Sequence, residues 1–123
     1  MLNWLKSLFS GPPRARKRVD LDARLSAPDG GPLHGEEEFE AYDDGRWSFE
    51  VEVEHGHGGA PAGPLEAYLN VTSLGTLSLR GDESELKLFS DTGALPMEPA
   101  EGMAIDVRAS GAIVVAGTFR RDY

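Results

Sequence analysis

The sequence predicts an all-β protein: one antiparallel β-sandwich or small barrel of about eight strands, carried behind a short N-terminal amphipathic helix. Three observations lead there. From Val19 onward apolar residues recur at every second position, the spacing of strands with one dry and one wet face. Turn-forming clusters separate these runs at regular intervals. Before Val19 the apolar spacing fits a helix instead, and the charge has the opposite sign. The chain therefore divides into residues 1–18, a helix plus basic linker, and residues 19–123, one β domain of ordinary size.

In the leader, at about 100° per residue, Met1, Leu2, Trp4, Leu5, Leu8 and Phe9 fall within one arc of about 160°. Asn3, Lys6, Ser7 and Ser10 fill the other side. Gly11-Pro12-Pro13 ends the helix, because proline cannot donate and drives its predecessor out of the helical region. Arg14, Arg16, Lys17 and Arg18 follow. The apolar run is far shorter than the roughly 20 residues that span a bilayer. It is also interrupted by Lys6 and has its basic cluster behind it, which is not the order of a secretory signal. What remains is a helix lying in an interface, with Trp4 and Phe9 at headgroup level and the cations on anionic lipid or acidic partner loops. A decamer binds membrane weakly, so a second attachment is expected, and the tail Phe119-Arg120-Arg121-Asp122-Tyr123 is the candidate. Basic residues without a secretory signal favour the cytoplasmic side of a membrane.

The body is strongly acidic. Five of the 12 Lys and Arg lie in the leader, which leaves 7 against all 21 Asp and Glu, a net of −14. Such a surface repels phosphate, so the body is not expected to bind nucleic acid. The chain has no cysteine, hence no disulfide framework and no thiol chemistry.

The strands follow in order. Val19, Leu21, Ala23 and Leu25 alternate with Asp20, Asp22 and Arg24. Pro28-Asp29-Gly30-Gly31 turns the chain toward an acidic hairpin over 35–54. A two-residue loop there would oppose Phe39 to Glu50 and mix the faces. A three-residue loop, Asp43-Asp44-Gly45, pairs Tyr42 with Arg46 and needs a positive φ at its last residue, which Gly45 supplies. Phe39 then meets Phe49 and Ala41 meets Trp47 on the dry face. Glu40 meets Ser48, Glu38 meets Glu50 and Glu36 meets Glu52 on the wet face, with Glu54 beyond. After a Gly-rich stretch over 56–64, Leu65, Ala67, Leu69 and Val71 alternate with Glu66, Tyr68 and Asn70. A hairpin over 76–90 turns at Gly81-Asp82. Met103, Ile105 and Val107 form a further strand, and Ser110-Gly111 turns into the last one. Strand, turn and hairpin starting from Val19, from Leu65 and, truncated, from Met103 suggest an internal repeat whose units stack to cover each other's apolar faces.

The chemistry is sparse. His55-Gly56-His57 is the one metal-like element: two histidines this close share a metal when a third ligand, such as Glu54 or His34, joins them. Its glycine-rich setting reads better as a mobile turn, and no metal or other cofactor is expected. There is no Gly-x-Ser-x-Gly elbow. The acidic turns at Asp43-Asp44 and Asp82-Glu83 lack the spaced pattern of a calcium loop. Asn70-Val71-Thr72 matches a glycosylation acceptor, read as chance without a secretory signal. The carboxylates fall on wet strand faces, where no desolvation tunes a pKa.

The segments Ala23-Arg24-Leu25-Ser26, Gly35-Glu36-Glu37-Glu38-Phe39 and Asp44-Gly45-Arg46-Trp47-Ser48-Phe49-Glu50-Val51, with the closing Gly117-Thr118-Phe119, resemble chordin-type repeat domains and similar small bacterial β-domains. The resemblance implies an antiparallel β fold. That family carries a His-x-His on a strand near its middle, whereas His55-Gly56-His57 here reads as a turn.

The expected function is non-enzymatic: a peripheral accessory subunit whose residues 1–18 attach to a membrane surface or membrane-protein complex. Glu36, Glu38, Glu40, Glu50, Glu52 and Glu54 would form an acidic face for a basic protein surface or for the chain's own Arg14–Arg18 stretch. Two other classes stay open. A ligand- or carbohydrate-binding module would use Tyr42, Tyr68 and Trp47 on one face. A small metal-dependent enzyme would use His34, His55 and His57.

Overall fold

The computed structural model describes residues 15–55 and 63–122. Among these there are ten strands and no helix: β1 (Lys17–Ser26), β2 (His34–Tyr42), β3 (Trp47–Glu54), β4 (Leu65–Leu69), β5 (Thr72–Thr76), β6 (Ser78–Arg80), β7 (Glu83–Phe89), β8 (Ala104–Ala109), β9 (Ala112–Thr118) and β10 (Arg120–Arg121). The expected helix over residues 1–10 lies outside the described residues. Lys17 and Arg18, expected in the linker, open β1 instead.

All pairings are antiparallel, in the order β5-β4-β8-β9-β1-β2-β3-β7-β6, with β10 added beside β1. The two ends of this path, β5 and β6, are separated in the chain by Leu77 alone. One stretch of backbone thus pairs with β4 on one side and β7 on the other, and the sheet is an almost closed barrel. Leu77 makes the corner: its side chain is buried, and its N–H donates to the Leu65 carbonyl at 2.8 Å. Curvature needs close backbone approach elsewhere. A Cβ on Gly35 would run into the Glu52 carbonyl oxygen, and one on Gly117 into that of Arg24, so neither strand could bend there with a side chain present.

The turn geometry predicted for β2 and β3 is present. Gly45 has φ 91°, Tyr42 N–H donates to the Arg46 carbonyl at 2.8 Å, and Phe39 opposes Phe49. Period-two alternation then points Leu21, Ala23, Leu25, Phe39, Val51, Val53, Leu65, Ala67, Leu69, Ile105 and Val107 into the barrel, all buried. Each large apolar side chain buried this way contributes about 1.5–3 kcal/mol. Phe49 is the hinge of the aromatic core, 6.4 Å from Phe39 and 6.3 Å from Phe119 by ring centroid, the latter edge-on.

Val71 departs from the expected alternation. The chain turns at Asn70-Val71, both at positive φ (47° and 70°), so Val71 is 78% exposed at a hairpin tip rather than buried at the end of β4. A two-residue loop of this hand favours glycine, and a β-branched residue there is strained. Val71→Gly should therefore stabilise the protein by about 1 kcal/mol, measured as a higher midpoint in urea denaturation.

Candidate functional site

The outward side of β1, β2, β3 and β7 is acidic because register aligns their outward residues in rows. Asp20, Glu40, Ser48 and Phe89 form one row, and Asp22, Glu38, Glu50 and Lys87 the next. Arg24, Glu36, Glu52 and Glu85 follow, then Ser26, His34, Glu54 and Glu83. The pairs Glu38–Glu50 and Glu36–Glu52 stand as the turn geometry requires, and β7 extends them with Glu52–Glu85 and Glu54–Glu83. Directly opposed like charges destabilise a sheet, modestly when solvent screens them.

Some of this charge is answered. Lys17 Nζ reaches Asp20 at 3.0 Å and Glu40 at 2.8 Å, and these carboxylates hold its ammonium above the ordinary pKa, Glu40 most strongly. One leader cation therefore does rest on the acidic face. Arg18 instead meets Glu98 at 2.8 Å. Arg16 N–H donates to the Asp43 carboxylate at 3.0 Å, which ties the entry of the chain to the β2–β3 turn. Arg80 pairs with Glu85 at 2.8 Å and His34 Nε2 with Glu54 at 2.6 Å. Asp22, Glu36, Glu38, Glu50, Glu52 and Glu83 have no cation within ion-pair distance among the described residues. Arg14 lies outside the described residues.

One end of this face is concave. Arg24, Ser26, His34, Glu36, Glu52 and Glu54 line a hollow of about 430 Å³ that opens where Gly35 bends β2 against β3. His34 donates to the Pro32 carbonyl at 3.1 Å, and this bond together with Glu54 raises its pKa. Glu52 is pushed up to about 7, first by partial desolvation and then by the side chain and negative charge of Glu83 beside it. Carboxylate oxygens of Glu52, Glu54 and Glu83 lie within 4.8 Å of one another, as do those of Asp20, Glu38 and Asp122. Such all-oxygen sets suit a hard cation or an ammonium or guanidinium group.

His34 and His55 do not converge. His34 faces outward, whereas His55 is 3% exposed and turned inward, its Nε2 3.0 Å from the buried Ser84 hydroxyl. His55 is therefore not part of a mobile turn: its N–H donates to the Asp82 carbonyl and its ring closes the end of the core. His57 lies outside the described residues. The aromatics do not share a face either. Trp47 packs against the core while Tyr42 sits on the other side of the hairpin under Arg46, and Tyr68, on β4, lies beneath Arg108 at 4.1 Å. The tail is built into the barrel: Phe119 is core, and Arg120 and Arg121 pair with Asp22 and Leu21 as β10.

Sequence reasoning missed Glu37. The register that turns Phe39 and Ala41 inward turns Glu37 inward as well, and it is 1% exposed between Ala23 and Val51. The alternation carried that signal, yet the run Glu36-Glu37-Glu38 reads as uniformly wet. Desolvation does tune a carboxyl in this protein, contrary to the expectation from strand faces.

Comparison with family models, with characterised proteins and with solved structures found no match. Ser84→Ala should lower stability by about 1–3 kcal/mol, because it leaves the buried His55 ring nitrogen without its partner. Urea denaturation against the parent chain measures this.

Proposed function

We propose that the chain is a non-enzymatic docking module, in which the acidic face of β1, β2, β3 and β7 receives a cationic protein surface and residues 1–18 attach the module to a membrane surface or membrane-protein complex on its cytoplasmic side. The observation that carries this reading is the set of like-charge pairs, Glu38–Glu50 and Glu36–Glu52, which have no cation within ion-pair distance among the described residues, the second of them lining a hollow. A face meant only for solvent gains nothing from stacking carboxylates directly opposite one another. A partner that supplies lysine or arginine turns that repulsion into complementarity and speeds encounter. The leader contributes the apolar arc of Met1, Leu2, Trp4, Leu5, Leu8 and Phe9. Accessory subunits commonly combine such a tether with a second, specific contact, because each alone is weak and together they multiply.

Glu50→Lys combined with Glu52→Lys should abolish capture of cationic partners from a lysate and raise thermal stability slightly, as it removes two repulsive pairs. Unchanged capture refutes the docking face. The leader is tested separately by fractionating cells that express the full chain or residues 15–123, a truncation that spares β1. The full chain should sediment with membranes, and the truncated one should stay in the supernatant and remain folded. Equal distribution of the two refutes the tether.

A further inference from the structure

We infer that Glu37 makes the barrel a proton-locked structure: the wall formed by β1, β2 and β3 closes around Glu37 as a neutral acid, and loss of its proton drives that wall open. Both of its carboxyl oxygens are buried and neither has a hydrogen-bond partner. Its neighbours across the ladders are Ala23 and Val51, with Leu86 beyond them, so its immediate surroundings inside are apolar.

No positive charge reaches it from any element of the wall. On the outer side, Asp22 and Arg24 flank it from β1, Glu36 and Glu38 from β2, Glu50 and Glu52 from β3, and Glu85 and Lys87 from β7. Of these, Glu38, Asp22 and Glu50 oppose its ionisation through the sheet. Inside, His55 and Ser84 bond to each other, while Asp106, which alternates with the inward Ile105 and Val107, faces out and is taken up by Arg108 at 2.8 Å. A carboxylate placed here would have neither a counterion nor a donor, which is the arrangement least able to hold a charge. Burial, with the three acidic neighbours second, pushes its pKa from 4.5 up to about 10.

The direction of the effect follows from linkage. The closed wall keeps the proton, whereas the opened chain releases it above about pH 4.5. The contribution to stability is therefore complete below that pH and falls as pH rises toward about 10. Over most of this window each pH unit shifts the balance tenfold toward the open state.

The test compares full-length protein with Glu37→Gln and Glu37→Met in urea denaturation at pH 5.5, 7.0 and 8.5. The other carboxylates add a background pH dependence common to all three chains. Against that background the parent should lose on the order of tenfold in its folding equilibrium per pH unit relative to each variant. Parallel pH profiles of parent and variants overturn the proposal. If neither variant folds, a carboxyl carbon NMR titration of Glu37 in the parent decides: no ionisation below pH 8 supports the lock, and a midpoint between 4 and 6 overturns it.

Discussion

The three-residue turn Asp43-Asp44-Gly45 sets the register of β2 on β3, and through it the side of the sheet on which every carboxylate of the hairpin stands. Shifting the pairing by one residue would send Phe39 and Phe49 to solvent and the acidic rows into the core. With Gly45 at φ 91°, the ladder places Phe39 against Phe49 and leaves Glu36, Glu38 and Glu40 outside. The same ladder drives Glu37 inside. The aromatic core, the outer charge and the buried acid are thus three consequences of one turn. β1 and β7 inherit the register on either side and widen the acidic rows from two strands to four.

Stability and surface chemistry pull in opposite directions on this wall. The interior gains from Leu21, Leu25, Phe39, Phe49 and Val51, all buried. The exterior sets carboxylates in register against carboxylates, and among the described residues only Lys17, Arg80, His34 and Lys87 make ion pairs with them. Partial desolvation and the neighbouring Glu83 raise the pKa of Glu52, the expected response of a carboxyl crowded by like charge. Glu37 adds a neutral acid under the same rows. A wall carrying this much unneutralised charge on one side and a desolvated acid on the other responds to protons and to cations together, since both reduce the same negative potential.

Closure explains why such a wall holds. A flat sheet with β5 and β6 at its edges would expose unpaired backbone to other chains. Here the two edges are one continuous stretch bent at Leu77, so the path of hydrogen bonds nearly returns to its start. Gly35 and Gly117 permit the bend at the opposite end, by leaving room for the carbonyls of Glu52 and Arg24. The bend at Gly35 also lies in the hollow at one end of the acidic face, so the curvature of the fold and the shape of the candidate site have one cause.

Local physics made much of this legible in the sequence. Period-two alternation, the Gly45 turn and the outer Glu–Glu pairs involve residues close in the chain, and their geometry follows from two strands and one loop. The sign split between residues 1–18 and the body is a matter of composition. Other features depend on strands far apart in sequence. The Ser84 hydroxyl that holds His55 arrives from β7, and β7 supplies the Glu83 that helps raise the pKa of Glu52. The corner at Leu77 is visible only once β4 and β7 are in place on either side. Val71 shows the limit of a local pattern: alternation continues through it on paper, but the chain reverses at Asn70-Val71 because β5 must return along β4. The sequence by itself determined an antiparallel β body, the faces of its central hairpin and the segregation of its charge, because these follow from side-chain period and turn chemistry. Only the tertiary structure decided which strands close the barrel, how the outer carboxylates gather around a hollow, and that Glu37 is sealed without a partner, because burial and counter-charge come from neighbours that the chain brings together only when folded.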